Sequence, residues 1–235
     1  KMLTMQESAD NMKSILDWAG IKSLEQMRRT STEVMHTVAD IKAMSEGNPF
    51  RGMFYSPIVD GKVIPENFDD AAVHGTLANV PYMIGYTLND LGSMGEGIAN
   101  FCFNRDSIGT PAYAYQFARP LPDDGSHPEV TARLKGAFHS SDLWYVFKTL
   151  KYCWRPWTKG DWDLSEKMLT SWTNFVKYSN PNGQTEGAWT PCTKANPNFM
   201  LFQLDAQENE ASAMGEPIVG DSQAFPGMPA PKETK

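Results

Sequence analysis

The chain has 235 residues, 41% of them hydrophobic and 21% charged, which is typical of one large globular domain and excludes a disordered or membrane-embedded chain. Its 21 basic and 28 acidic residues give a net charge of −7, which disfavours a nucleic-acid partner. No run of about 18 apolar residues is present, so no membrane-spanning helix is predicted. Residues 1–5 lack the apolar core of a signal peptide, and the compartment stays unassigned.

The first forty residues are predicted to form three short helices. Apolar residues recur at helical spacing from Met12 to Ala19, and Gly20 follows as a natural stop. Two capping-box pairs then mark helix starts: Ser23 with Gln26, and Thr30 with Glu33. Residues 42–53 are polar and contain glycine and proline, so we expect a loop there.

Strands and helices are predicted to alternate in the rest of the chain. An extended segment that ends in a turn is expected at 54–61, followed by a short helix at 67–74. Short apolar runs at 80–87 and 112–118 are typical of buried strands, and a last strand is expected at 199–204. This alternation favours an α/β fold over a β-sandwich.

The clearest helix signal covers residues 164–179. Its apolar residues lie on one face, and Asp163 with Glu166 forms a predicted capping box at its start. The run Asn180-Pro181-Asn182-Gly183 ends the helix. From residue 207 onward the chain is polar and contains proline, which predicts a loosely packed tail.

The three cysteines, Cys102, Cys153 and Cys192, are widely spaced and form no CxxC pair, so a structural metal site is not expected. Their number allows one disulfide with a free thiol, or three buried reduced thiols. The second alternative is favoured because free cysteine is among the most buried residue types.

The four histidines differ in their surroundings. His36 is expected on a helix surface, His74 at a helix C-terminus and His127 in a loop. His139 lies between a turn of small residues and an apolar run, where spacing alone favours a core or turn histidine. Among the carboxylates, Asp90 directly follows a predicted strand, although from the residues alone a turn-forming Asn-Asp pair is the favoured explanation.

Several motifs that would define a chemistry are absent from the sequence. There is no Gly-x-Ser-x-Gly nucleophile elbow, no phosphate-binding glycine loop, no Gly-x-Gly-x-x-Gly and no His-Glu-x-x-His. Aromatic residues concentrate between residues 144 and 162, and they fit either core packing or the wall of an apolar substrate pocket. The members of this aromatic cluster are Trp144, Tyr145, Tyr152, Trp154, Trp157 and Trp162.

Four sequence blocks, in this order, resemble the C-terminal half of a type-B carboxylesterase, the family of cholinesterases and para-nitrobenzyl esterases. The blocks are Pro57-Ile58-Val59-Asp60-Gly61 with Ile64-Pro65, the run from Gly85 to Gly92, the run from Gly136 to Leu143, and Trp172-Thr173-Asn174-Phe175 with Asn180-Pro181-Asn182-Gly183. Each block is weak alone, whereas four blocks in the family's order are specific. The resemblance covers residues 54–204, and residues 1–53 match the family's variable helical region loosely.

The resemblance implies the C-terminal part of an α/β-hydrolase fold that hydrolyses carboxylic esters through a serine–acid–histidine triad. It identifies Asp90 as the triad acid and His139 as the triad histidine, in the order acid before histidine. It implies no cofactor and no metal. By this resemblance residues 1–53 follow the nucleophile segment, 54–206 belong to the catalytic domain and 207–235 form a tail.

The sequence departs from the family pattern in three respects. The nucleophile elbow and the oxyanion loop are absent, so we expect the N-terminal half of the enzyme to be a partner that carries the serine. The acid is aspartate where glutamate is commoner, and only 49 residues separate Asp90 from His139, which predicts an open site for bulky esters. The alternative is an inactive cholinesterase-like binding or adhesion protein.

Overall fold

The structure is a computed structural model that describes residues 2–45 and 57–204. The predicted loop at 46–53, the first residues of the extended segment at 54–56 and the predicted tail at 207–235 lie outside the described residues. The described chain forms two compact units, one ending at His74 and the other beginning at Gly75. The domain boundaries expected from the family resemblance stay a prediction.

The first unit is mainly helical and contains one pair of short parallel strands. Its elements are β1 Leu3–Thr4, α1 Met5–Trp18, α2 Leu24–Arg29, α3 Thr32–Ser45, β2 Ile58–Val59 and α4 Phe68–His74. In the pair, Leu3 lies opposite Ile58. The three N-terminal helices and the helix ending at His74 confirm the predictions for this region.

Two local predictions in the first unit are wrong. The Ser31 hydroxyl, and not Thr30, accepts the hydrogen bond from the Val34 amide at the start of α3. Ser31 is therefore the residue that caps α3, because its short side chain reaches a free amide in the first turn of the helix. In addition, α3 continues to Ser45, so the expected loop does not begin at residue 42.

The second unit contains a three-stranded parallel sheet with helices in its connections. Its elements are β3 Met83–Thr87, α5 Gly95–Ser107, β4 Tyr113–Phe117, α6 Pro128–Thr131, α7 Leu143–Val146, a 3₁₀ turn Leu150–Tyr152, α8 Lys159–Tyr178 and β5 Phe199–Phe202. The strand order is β3-β4-β5. Long connections containing helices are what parallel strands require, so the predicted α/β class is confirmed.

Strand β3 differs from its prediction in length and burial. It begins at Met83, three residues after the start of the predicted run, and its first four residues are only partly buried. Among the described residues β3 pairs with β4 alone, so it is an edge strand of this sheet. The apolar run predicted a strand buried on both faces of the sheet, and the partial burial of β3 differs from that prediction.

The long helix α8 begins one and a half turns before its predicted start. Thr158, and not Asp163, is the N-cap, and Asp161 completes the capping box. Asp161 is buried, and it also accepts hydrogen bonds from Arg119 at 2.9 Å and from the Tyr145 hydroxyl at 2.7 Å. This ion pair ties α8 to the segment that follows β4.

The core lies between the sheet and the helices that follow it. α7 packs on α8, and Leu164 and Met168 of α8 are fully buried. The core residues are Phe117, Leu121, Ala137, Tyr145, Val146, Leu150, Leu164, Met168, Trp189, Met200 and Phe202. Fully burying a Leu or Met side chain contributes about 1.5–3 kcal/mol, so this cluster is a main source of stability for the unit that holds the candidate site.

Gly85 of β3 makes a close approach possible within the sheet. It lies directly opposite Tyr115 of β4, and a Cβ at residue 85 would come within 2.3 Å of the Tyr115 ring. The ring therefore lies across the glycine and reaches Asp142 with its hydroxyl, at 3.4 Å. Any side chain at residue 85 would displace a ring that bears on the candidate site.

Candidate active site

Asp90 lies just past the carboxyl end of β3 and is 6% exposed. Its Oδ1 accepts the Leu91 amide at 2.7 Å, and its Oδ2 accepts the Thr87 hydroxyl at 3.0 Å. Ligands of open α/β sheets bind outside the carboxyl ends of the strands, which is where this carboxylate lies. Two fixed donors therefore orient a buried carboxylate at the carboxyl edge of the sheet.

His139 lies on the loop that precedes α7. Its Nδ1 is 2.7 Å from Asp90 Oδ1, although 49 residues separate the two in sequence. This distance agrees with the contact expected between them. An ionised carboxylate can only accept, so Nδ1 carries the proton of the neutral ring and Nε2 keeps its lone pair. The His139 side chain is half exposed, which leaves Nε2 available to a reacting group.

Asn89 joins the Asp90 loop to the His139 loop. The Asn89 amide donates to the Ala137 carbonyl at 2.9 Å, and the Asn89 side-chain oxygen accepts the Ala137 amide at 3.0 Å. Gly136 has a φ of 68°, and a Cβ there would come within 2.2 Å of that same oxygen. A glycine at 136 thus lets the two loops lie against each other, and the backbone sets the separation of Asp90 and His139.

The backbone just after His139 adopts an unusual conformation. Ser140 has a φ of 68°, in the left-handed region that a residue with a Cβ seldom occupies. Such conformations cost of order 1–3 kcal/mol and persist where surrounding contacts hold them. Here Ser141 donates its amide to the Phe138 carbonyl, which closes a tight turn around the histidine.

The pKa of Asp90 lies below its ordinary value. Burial alone would raise it, but the hydrogen bonds from the Leu91 amide, His139 and Thr87 together lower it by more. Asp90 is therefore ionised throughout the neutral range.

A second carboxylate, Asp142, lies three residues after His139 and is also buried. Burial raises its pKa above the ordinary value, and the charge of Asp90 raises it further. The Tyr115 hydroxyl donates to Asp142 Oδ2 at 3.4 Å, which is a weak bond. Two carboxylates of unlike environment thus flank the histidine.

The remaining candidates from the sequence lie elsewhere or serve packing. His36 is exposed, the His74 ring nitrogen is 2.7 Å from Glu66, and the His127 ring packs against Trp154 at a tilt of 47° with centroids 4.2 Å apart. No group of potential metal ligands occurs among the described residues. The three cysteines form no disulfide, and of the three buried thiols expected, Cys102 and Cys192 are buried whereas Cys153 is partly exposed.

The aromatic cluster divides between the two roles left open by the sequence. Tyr145 is fully buried, and Trp144 and Trp157 pack against the core. Tyr152, Trp154 and Trp162 are exposed. The cluster is therefore partly core and partly surface.

Sequence reasoning missed Thr87, Asn89, Asp142 and Tyr115 as residues that bear on the candidate site. Asn89 was visible only as half of a turn-forming pair, and Thr87 only as the end of an apolar run. Their contacts cross strands or loops, and no spacing pattern in one sequence reports such contacts.

No helix in the described part of the chain combines the length and the apolar character that crossing a bilayer requires.

Comparison with protein families gives one matching model, described as the carboxylesterase family, over residues 93–216. Among curated proteins, a chlorogenic acid esterase of Aspergillus niger is 22% identical over 227 residues, covering 80% of this chain and 42% of that protein. Carboxylesterase 5A of Canis lupus familiaris is 26% identical over 162 residues, covering 61% of this chain and 27% of that protein.

Solved structures are similar in fold. A thermophilic PNB esterase superposes with a TM-score of 0.69 at 18% identity, covering 86% of this chain and 51% of that one. A second PNB esterase gives 0.66 at the same identity, covering 86% and 52%. At these identities the likeness shows the fold alone, and it is the α/β-hydrolase fold. The chain spans about half the length, or less, of the relatives it matches.

Proposed function

Because this chain belongs to the carboxylesterase family, we propose that it forms the C-terminal part of a serine carboxylesterase. In this proposal Asp90 and His139 are the acid and the histidine of the triad, and the nucleophilic serine lies outside these 235 residues. The observation that carries the proposal is the 2.7 Å contact between His139 Nδ1 and Asp90 Oδ1.

The two residues have separate roles in the reaction. His139 Nε2 takes the proton of the serine as the serine attacks the ester carbonyl, and the ring becomes positively charged. Asp90 holds the Nδ1–H tautomer and stabilises that charge. The histidine then gives the proton to the departing alkoxide, and water repeats the sequence on the acyl-enzyme.

Two observations support a serine from a preceding segment. The sequence contains no Gly-x-Ser-x-Gly elbow, and the chain spans about half the length of similar esterases. We propose that the segment carrying the serine also covers the free side of β3, which pairs only with β4 among the described residues. An uncovered edge strand favours aggregation, so residues 1–235 expressed alone should be insoluble or molten and inactive.

We propose carboxylic esters of some bulk as substrates. The relatives act, by their names, on chlorogenic acid and on PNB esters, and a similar Clostridium hathewayi esterase hydrolyses aliphatic aromatic polyesters. The half-exposed position of His139 supports an open site of this kind.

A binding protein with an inactive site is the alternative. Such a protein has no chemical need to hold a buried carboxylate against a half-exposed histidine with three oriented contacts. The hydrogen bonds to Asp90 from Thr87, Leu91 and His139 therefore favour the enzyme.

The test is hydrolysis of 4-nitrophenyl acetate and butanoate by the protein together with its preceding segment. Wild type should turn over both esters, and His139→Ala should abolish turnover. His74→Ala is the matched control, since His74 is an exposed histidine bonded to a carboxylate in the other unit. The proposal would be contradicted, and the binding protein favoured, if a folded wild type hydrolysed neither ester or if His139→Ala hydrolysed them at the wild-type rate.

A further inference from the structure

A cavity of about 400 Å³ borders the loop that carries His139. Its wall includes Gly136, three residues before His139, and the charged residues Asp123, Lys135 and Arg155. We call it the Arg155 pocket. Its volume lies in the range of small-molecule sites, about 300–1,000 Å³.

Arg155 is the unusual member of this wall, because it is a cation that is only 6% exposed. Its Nη1 donates to the Pro122 carbonyl at 2.9 Å. Its guanidinium lies 5.0 Å from the Trp154 ring centroid and 5.8 Å from that of Phe138. These contacts hold the group in one place without neutralising it.

No ion pair within the described residues includes Arg155. Arg119, another buried arginine, has a carboxylate partner in Asp161. A guanidinium has five N–H donors, and the Pro122 carbonyl uses one of them. A buried charge without a counter-charge is costly, so this site favours an anionic ligand.

The other charges of the wall limit the kind of anion. Lys135 is exposed and adds positive charge, whereas Asp123 opposes it and already accepts the Gly125 amide at 2.9 Å. Together with Arg155 the wall carries one net positive charge. A planar guanidinium fork matches a carboxylate in shape, and one net charge suits a monoanion better than a phosphate dianion.

We propose that the Arg155 pocket binds a carboxylate carried by the alcohol portion of the ester substrate. This inference rests on the proposed esterase function. In that reaction His139 gives its proton to the leaving alkoxide, so the alcohol portion must lie on the His139 side of the ester. The pocket adjoins the His139 loop through Gly136, and it is therefore positioned for that portion.

The test compares two esters of nearly equal size, 4-acetoxybenzoate, which is an anion, and 4-acetoxybenzamide, which is neutral and has the better leaving group. With the pocket intact, kcat/KM should be about 10-fold higher for the benzoate, as expected for a hydrogen bond to a charged group. Arg155→Gln, which can still donate to Pro122, should raise KM for the benzoate about 10-fold and leave KM for the benzamide within twofold. Lys135→Gln should lower the benzoate-to-benzamide ratio of kcat/KM by a few-fold.

Arg133→Gln is the matched control, because this exposed arginine is two residues from Lys135 and outside the pocket wall. If Arg155→Gln changes KM equally for both esters, the inference is overturned. If Arg155→Gln does not fold, an unchanged benzoate-to-benzamide ratio of kcat/KM in Lys135→Gln overturns it instead.

Direct binding separates this inference from the proposed function. Calorimetric titration of wild type with 4-hydroxybenzoate and 4-hydroxybenzamide requires no turnover, and the benzoate should bind more tightly. Binding that depends on Lys135 or Arg155, with no hydrolysis of any ester, would refute the esterase and the substrate role while leaving a carboxylate site. Hydrolysis without preferential carboxylate binding would refute the pocket alone.

Discussion

Replacing Asp90 with asparagine should lower kcat substantially and leave the fold intact. Asp90 Oδ1 accepts the Leu91 amide and also faces His139 Nδ1, both at 2.7 Å. An asparagine must keep its oxygen there, because an amide NH₂ would face the Leu91 N–H. Its nitrogen then replaces Oδ2 and can donate to the Thr87 hydroxyl, which accepts as well as donates. The variant therefore retains the Nδ1–H tautomer of His139 and loses only the charge.

The size of the effect follows from that lost charge. Two unit charges about 4 Å apart attract by about 4 kcal/mol at an effective dielectric constant near 20. Solvent screens part of this attraction because the His139 side chain is half exposed, which leaves about 2–4 kcal/mol. At ~1.4 kcal/mol per tenfold in rate, kcat should fall roughly 30- to 1,000-fold. A serine protease whose histidine takes the wrong tautomer loses more, about 10⁴-fold.

The assay is kcat and KM on 4-nitrophenyl acetate for the protein with its preceding segment, with thermal unfolding of each variant. Asp124→Asn, at an exposed loop carboxylate, is the control and should be near wild type. An Asp90→Asn enzyme within threefold of wild type would show that Asp90 is not the triad acid. A fall in kcat beyond about 10⁴-fold at unchanged Tm would indicate the wrong tautomer of His139. It would refute the argument that the Leu91 amide keeps the asparagine oxygen facing His139 Nδ1.

Three further predictions concern the same site. His139→Ala should lower kcat as much as loss of the serine does, because triad residues act as a unit, and single-turnover assays on both variants check this. Thr87→Val leaves buried Asp90 short of a donor and should lower the free energy of unfolding at pH 7 by about 1–3 kcal/mol, with Thr87→Ser closer to wild type in urea titrations. The loss should shrink as the pH falls through the lowered pKa of Asp90, where its carboxylate is protonated. Asp142→Asn removes a buried charge and should raise Tm at pH 8. This gain should shrink as the pH falls below the raised pKa of Asp142 and vanish below the ordinary pKa of an aspartate, where the folded and unfolded states are both protonated.

Much of the local structure could be predicted from the sequence because its causes are local. Short apolar runs between turn residues predicted β4 and β5, and helical spacing predicted α1 and α8. Each pattern reflects the burial of one face of one element, which depends on neighbours in sequence. Fold class follows from the alternation of these elements, since parallel strands need long crossovers.

The errors occur where a distant residue determines the local structure. Two capping boxes compete at the start of α8, one on Asp163 and one on Thr158 with Asp161. Asp161 prevails with a partner, Arg119, that lies 42 residues earlier in sequence. In the same way, the burial of β3 depends on what lies beyond the sheet edge, and its apolar run cannot report that.

For the candidate site, the sequence by itself determined which residue types were available and, through four ordered blocks, identified Asp90 and His139 as the candidate acid and histidine. The tertiary structure alone decided that they meet, because a contact across 49 residues requires parallel strands, the Asn89 bridge and a glycine at 136. It alone decided that Arg155 is buried without a counter-charge beside that loop. The type of each residue is fixed by the chain. The distance between two side chains and the burial of a charge arise only when segments that are distant in sequence pack together.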